Sequence, residues 1–113
     1  MTSRSRPITL ARSDEVEEGS LCGRWVGQHC IVLTRHEGQL RAFLSACPHR
    51  KAELATGKLH EGVLTCPWHG WRFDIATGRG LTNPHAKLEF FPVVEEKGEV
   101  TVWIPDHLLP WES

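Results

Sequence analysis

The sequence predicts an all-β fold, on three observations. Strand-forming segments are short and return at frequent turn signals. Neighbouring segments read as hairpins, as in Gln28 to Arg35 (QHCIVLTR), the turn His36-Glu37-Gly38-Gln39, and Leu40 to Leu44 (LRAFL). No long segment carries the 3.6-residue periodicity of an amphipathic helix.

Taken in order, Ile8 to Leu10 follows Pro7 as a first strand, and the acidic Ser13 to Glu18 reads as a loop or one helical turn. Ser20 to Val26 pairs with Gln28 to Arg35, with Gly27 near the turn. Ile31, Val32, Leu33 and Thr34 are β-formers and core candidates, and Leu40, Ala42 and Leu44 share one face of the returning strand. Glu53 to Leu59 is expected to hold a brief helical turn. Val63 to Thr65 and Trp71 to Ile75 are short strands, followed by an Ala76-Thr77-Gly78 turn and a Gly/Asn/Pro loop at Gly80 to Pro84. Leu88 to Val94 and Glu99 to Ile104 form the last two strands, joined by Glu95-Glu96-Lys97-Gly98. The tail from Pro105, with Pro110 and Trp111, is expected to pack across a sheet or fray.

The chain has 113 residues, enough for one domain with a real core, and 1–113 reads as a single unit. Its formal net charge of -1 argues against nucleic-acid binding, which calls for a basic face. No apolar run reaches the length of a membrane span. Met1 to Pro7 carries two Arg with no apolar segment behind them, so it does not read as a signal peptide, and a cytoplasmic location is expected.

The chemistry concentrates in the part from about 45 to 86. Cys47 and His49 form a C-x-H pair and Cys66 and His69 a C-x-x-H pair, with sixteen residues between (Arg50 to Thr65). Pro48, Pro67 and Gly70 beside them suit tight loops. In a reducing compartment such pairs point to metal rather than to disulfides. Cys22 and Cys30 fall in strand-like segments and read as small buried hydrophobes.

Three readings of the four ligands compete. Cys2His2 is a common structural zinc set, but zinc usually pairs like with like, two Cys and then two His. A binuclear [2Fe-2S] cluster with two Cys on one iron and two His on the other suits mixed pairs on two loops. The third reading is chance spacing without metal. Ligand type and spacing favour the cluster.

At these residues the chain resembles the Rieske proteins: C-P-H at 47–49 and C-P-W-H-G-W at 66–71 match that family's signature. G-L-T-N-P at 80–84 and L-E-F-F-P-V at 88–93 look like its proline loop and the following strand, so the resemblance covers residues 40–104. It implies three stacked antiparallel sheets with the cluster held at one tip between two loops. It also implies Cys47 and Cys66 on the inner iron, and His49 and His69 on the outer iron through Nδ1 with Nε2–H toward solvent. Two thiolates and two neutral imidazoles leave the oxidised centre formally neutral, whereas four thiolates would leave it dianionic. The potential therefore lies higher, within roughly -150 to +300 mV.

Within that span the low end is expected. Respiratory Rieske proteins carry a disulfide between the ligand loops; Ala52 and Trp68 stand at the corresponding places here. Those proteins also hydrogen-bond the cluster sulfurs with a Ser and a Tyr; here Trp71 follows Gly70 and the chain has no Tyr. Pro48 and Pro67 read as loop-shaping, Trp68 and Trp71 as shields for the cluster or core aromatics, and Arg50 as a solvated charge. His29, His36, His60, His85 and His107 read as surface residues, with His85 near the proline loop. Asp14 to Glu18 reads as a solvated face.

The function implied is one-electron transfer. No G-x-G-x-x-G occurs, so hydride must be taken upstream by a flavin-dependent NAD(P)H reductase. The downstream acceptor implied is a terminal oxygenase, an aromatic-ring dioxygenase or a di-iron monooxygenase. Terminal oxygenase subunits also contain the motif, but they need a further large domain with a two-His, one-carboxylate iron, and nine residues follow Ile104. The chain thus reads as a ferredoxin and not itself an enzyme. The alternatives are a small subunit of an NAD(P)H nitrite reductase-like complex and a zinc-binding module.

Overall fold

The structure is a computed structural model that describes residues 4–27, 29–45, 57–66, 70–83 and 86–108. Ten strands follow in order: β1 (Ser5–Arg12), β2 (Cys22–Val26), β3 (His29–His36), β4 (Gln39–Leu44), β5 (Lys58–His60), β6 (Val63–Thr65), β7 (Arg72–Asp74), β8 (Phe90–Phe91), β9 (Val93–Glu96) and β10 (Glu99–Pro105). They build three sheets, ordered β1-β10-β9, β2-β3-β4-β8 and β5-β6-β7. Every ladder is antiparallel. The only helical segments among the described residues are 3₁₀ turns at Ser13–Glu15 and Asp106–Leu108.

The registers are set by one repeated device. His36 pairs with Gln39, His60 with Val63 and Glu96 with Glu99, each across two residues. Those residues are Glu37-Gly38, Glu61-Gly62 and Lys97-Gly98, all six at positive φ. Two consecutive positive φ values define the primed turn whose twist matches the flanking strands, and glycine at its second place adopts that backbone without a Cβ penalty.

The β2-β3-β4-β8 sheet is the middle layer, and its strand β3 is apolar on both sides. Ile31 and Leu33 turn toward the first sheet with Ala42, Phe91, Val100, Val102 and Ile104. Val32 and its cross-strand partner Phe43 turn the other way, toward Leu64, Cys66, Phe73 and Ile75 of the third sheet. Phe43 meets Phe90 edge to face, with centroids 6.0 Å apart. Burial of alternate residues on opposite faces thus joins three sheets through two cores. Leu40 and Leu44 pack with Ala42 on the first core, as expected.

The sequence expectations need correction at three places. Lys58 and Leu59 were expected in a helical turn but lie in β5: Leu59 pairs with Leu64 and packs inward, and the Glu61-Gly62 turn fixes that hairpin. Residues 53–56 of that expectation lie outside the described residues. The segment Leu88 to Val94 is not one strand. Phe90-Phe91 joins β4, Val93–Glu96 joins β10, and Pro92, which has no N–H to offer a ladder, stands at the change of sheet. The first strand runs from Ser5, well before Ile8, as an edge paired to β10.

The acidic segment after β1 is structural. Glu18 accepts hydrogen bonds from the backbone N–H of Glu37 (2.7 Å) and Gly38 (2.9 Å), clasping the β3–β4 turn. Both bonds draw its carboxyl below the ordinary range, that from Gly38 most. Arg12 pairs with Asp14 and Arg24 with Glu15. Cys22 is half-buried and Cys30 buried, facing Leu33 and Trp25 across the β2–β3 ladder, and neither forms a disulfide.

Candidate metal centre

Cys66 is the expected ligand that lies among the described residues. Cys47, His49 and His69 lie outside them, as do Pro48, Arg50, Ala52, Pro67, Trp68 and His85. Among the described residues no group of three or more His, Cys, Asp or Glu could hold a metal ion. The geometry available is that of the second ligand loop at its root.

That root is built by the β6–β7 hairpin. Thr65 pairs with Arg72, and one step farther the Cys66 N–H donates to the Trp71 carbonyl at 2.7 Å. The ladder therefore closes on Cys66 and Trp71. Gly70 has φ of 68°, a left-handed conformation that a side chain would strain. Cys66 is 1% exposed and belongs to the second core, with Leu64, Phe73, Ile75, Ala86 and Leu88, and Trp71 packs half-buried against the same cluster. Leu64 lies two residues before Cys66 and Phe73 is its cross-strand partner, so the sulfur is rooted in packed apolar chain.

A second loop supports the first. After β7, Asp74 N–H donates to the Arg79 carbonyl and Leu81 N–H to the Arg72 carbonyl, at 2.9 and 2.8 Å. The Thr82 hydroxyl accepts from the Arg72 N–H at 3.1 Å. Gly80 N–H donates to the Ala86 carbonyl and Ala86 N–H to the Asn83 carbonyl, closing the expected Gly/Asn/Pro loop on itself. A Cβ at Gly80 would stand 2.2 Å from the Asn83 carbonyl oxygen and 2.7 Å from that of Ala86. The requirement for glycine there was not seen in the sequence; its signal was a Gly two residues after another Gly in a turn-rich stretch.

A buried cysteine at the closed end of a hairpin, with a His three residues on in the sequence, fits one arm of a Cys/His cluster site. Of the other singled-out residues, His60 is exposed, whereas His36 is half-buried with its ring against Gly62, where a Cβ would meet the His36 Cε1 at 2.9 Å.

The Rieske [2Fe-2S] domain model matches residues 6–94, and the chain belongs to that family. Its cofactor is accordingly one Rieske-type [2Fe-2S] cluster, and its chemistry is one-electron transfer. The ferredoxin component of the alkene monooxygenase system of Xanthobacter autotrophicus is 36% identical over 96 residues, covering 84% of this chain and 79% of that protein. A chain in a complex of reduced oxygenase and oxidized ferredoxin in carbazole 1,9a-dioxygenase superposes with a TM-score of 0.76 at 28% identity, covering 86% of this chain and 92% of that one. The oxygenase component of dicamba O-demethylase from Stenotrophomonas maltophilia is 36% identical over 115 residues, but this chain spans 33% of its length. No described helix is long and apolar enough to cross a membrane.

Proposed function

We propose that this chain is the ferredoxin component of an oxygenase system, receiving electrons from a flavin-dependent NAD(P)H reductase and delivering them to a terminal oxygenase. The observation that carries this reading is the likeness to a ferredoxin component over 79% of its length, and to a chain of an oxygenase–ferredoxin complex over 92% of its length. The chain is then a carrier without an active site of its own, working in the cytoplasm.

Cys47, His49, Cys66 and His69 are the proposed cluster ligands. The bound cluster supplies reversible one-electron oxidation and reduction. The protein's part is to hold and insulate. Cys66 presents its thiolate from the end of a closed ladder, and Leu64, Phe73 and Ile75, all fully buried, keep water from that side. Trp71 stands where a hydroxyl donor to the sulfurs would raise the potential, and the absence of Tyr from the chain removes the other; a negative potential follows.

The test is anaerobic reconstitution of electron flow. NAD(P)H should reduce the protein only when a flavin reductase is added, and a terminal oxygenase with its substrate should reoxidise it. Direct reduction by NAD(P)H, or a midpoint potential well above zero, would contradict the proposal.

A further inference from the structure

The β5-β6-β7 sheet buries one face and exposes the other. Leu59, Leu64 and Phe73 pair in one row, with Leu64 and Phe73 fully buried. The neighbouring row, Lys58, Thr65 and Arg72, therefore stands on the solvent side, since cross-strand partners share a face. Phe73 bridges Gly80, which sets Leu81 beside Arg72 at the end of that row, 54% exposed. Arg79 lies beside Asp74 on the same side and bridges Lys87. Lys58, Arg72, Arg79 and Lys87 are all exposed. Thr65 directly precedes Cys66 and Arg72 directly follows Trp71, so this row crosses the root of the ligand hairpin.

The state of these cations differs from that of four of the six described arginines elsewhere, Arg4 and Arg41 also lacking an ion pair among the described residues. Arg6, Arg12, Arg24 and Arg35, on the other two sheets, are paired with Asp106, Asp14, Glu15 and Glu95. Among the described residues none of Lys58, Arg72, Arg79 or Lys87 forms an ion pair. The asymmetry extends through the sequence. Residues 46–87 hold six basic residues and three acidic ones, a formal +3, while the rest of the chain holds seven and eleven, a formal -4. In a chain of net charge -1 the positive surplus is thus concentrated, along the sequence, in the part that carries the four expected ligands.

We infer that the solvent face of the β5-β6-β7 sheet, with Lys58, Arg72, Arg79 and Lys87 around Leu81, is a docking platform for an acidic surface of the terminal oxygenase. The inference rests on the function proposed above. Asp74 shares this face, one carboxylate oxygen taken by the Ala76 N–H, and the four cations leave a positive surplus. A surplus of one sign beside a redox centre raises the encounter rate with an oppositely charged surface by roughly 10- to 1,000-fold at low salt. An exposed leucine within a charged rim is the arrangement of a small transient interface. The oxygenase is the occupant because a chain of this fold occurs in a complex of oxygenase and ferredoxin.

The experiment uses cluster-loaded protein, reduced and mixed in stopped flow with ferricyanide, which takes one electron to become ferrocyanide. The same is done with the terminal oxygenase that the protein reduces. Oxidation by ferricyanide should slow as ionic strength rises from about 10 to 200 mM, over which screening shortens from tens of ångströms to under ten. Lys58→Ser/Arg72→Ser should be about tenfold slower at the low end. Arg4→Ser/Lys97→Asn, an equal charge loss at the ends of the first sheet, should change little. Reduction of the oxygenase below saturation should follow the same pattern at unchanged midpoint potential. As a readout independent of electron transfer, the parent should be retained on a sulfonate resin above its sequence pI of 6.6, and the Lys58/Arg72 variant should not. A ferricyanide rate that rises with salt, equal effects of the two double variants, or an oxygenase rate indifferent to the Lys58/Arg72 change would each overturn the inference. Absence of a reducible cluster would overturn the function proposed above, and the retention result would stand apart from it.

Discussion

Arg35 of β3 grips Glu95 of β9 with both ends of its guanidinium, Nη2 to Oε2 at 2.9 Å and Nη1 to Oε1 at 3.2 Å. The same side chain donates to the carbonyls of Val16 (3.0 Å) and Ser13 (3.3 Å). One residue thereby ties the middle sheet, the first sheet and the segment after β1.

Arg35→Ala leaves two carbonyls and a carboxylate without that donor. A loss of about 1–3 kcal/mol in unfolding free energy is expected, the scale of hydrogen bonds to a charged group. Chemical denaturation of the two proteins measures it; a loss near zero would show the grip to be solvent-exchanged.

Glu95 and Glu18 contribute to the acid limb of stability. Arg35 lowers the Glu95 carboxyl chiefly by hydrogen bonding, and the Gly38 and Glu37 N–H groups lower that of Glu18. A carboxyl whose folded value lies below its unfolded value stabilises the fold above the ordinary carboxylate range, and that contribution is lost as pH falls through the folded value. Stability should therefore decline below about pH 4. Glu18→Gln, monitored by thermal unfolding across that range, should shrink the decline; an identical slope would remove Glu18 from the explanation.

Gly80→Ala and Gly98→Ala separate crowding from backbone strain. Gly98 has open space but φ of 79°, so alanine there should cost about 1 kcal/mol. At Gly80 the new Cβ would strike two carbonyl oxygens of the loop beside the ligand hairpin. The Gly80 variant should lose cluster on purification, measured as iron per chain, while the Gly98 variant keeps it. Equal retention would mean that the 80–86 loop does not support the site.

His49→Cys or His69→Cys adds a thiolate charge to the centre. Where the variant assembles, its potential should fall, since a more negative oxidised site accepts an electron less readily. An unchanged potential would sink the ligand assignment.

The middle sheet was legible because the β-forming run of β3 and the strand β4 flank a Glu-Gly turn, and local chemistry there agrees with the fold. The family was legible because mixed Cys/His pairs at that spacing have few uses, and the match of the Rieske domain model over residues 6–94 bears it out. What escaped was decided by partners distant in sequence. Ser5 to Pro7 looks unlike a strand, yet β10 supplies its ladder as an edge. Lys58 to His60 carries one apolar residue, and only pairing with Val63 to Thr65 makes it β. Phe90 to Val93 is continuous in pattern but changes sheet at Pro92. The charged face of the third sheet was hidden for the same reason: Lys58, Arg72 and Leu81 become one row only when three strands and the loop that follows them are in register.

The most direct measurement is low-temperature EPR of the dithionite-reduced protein, with iron and acid-labile sulfide assayed on the same sample. A rhombic signal with average g below that of all-cysteine clusters, with about two irons and two sulfides per chain, is expected. A silent spectrum with zinc in the assay, or the higher average g of an all-cysteine cluster, would contradict the proposed ligation by Cys47, His49, Cys66 and His69.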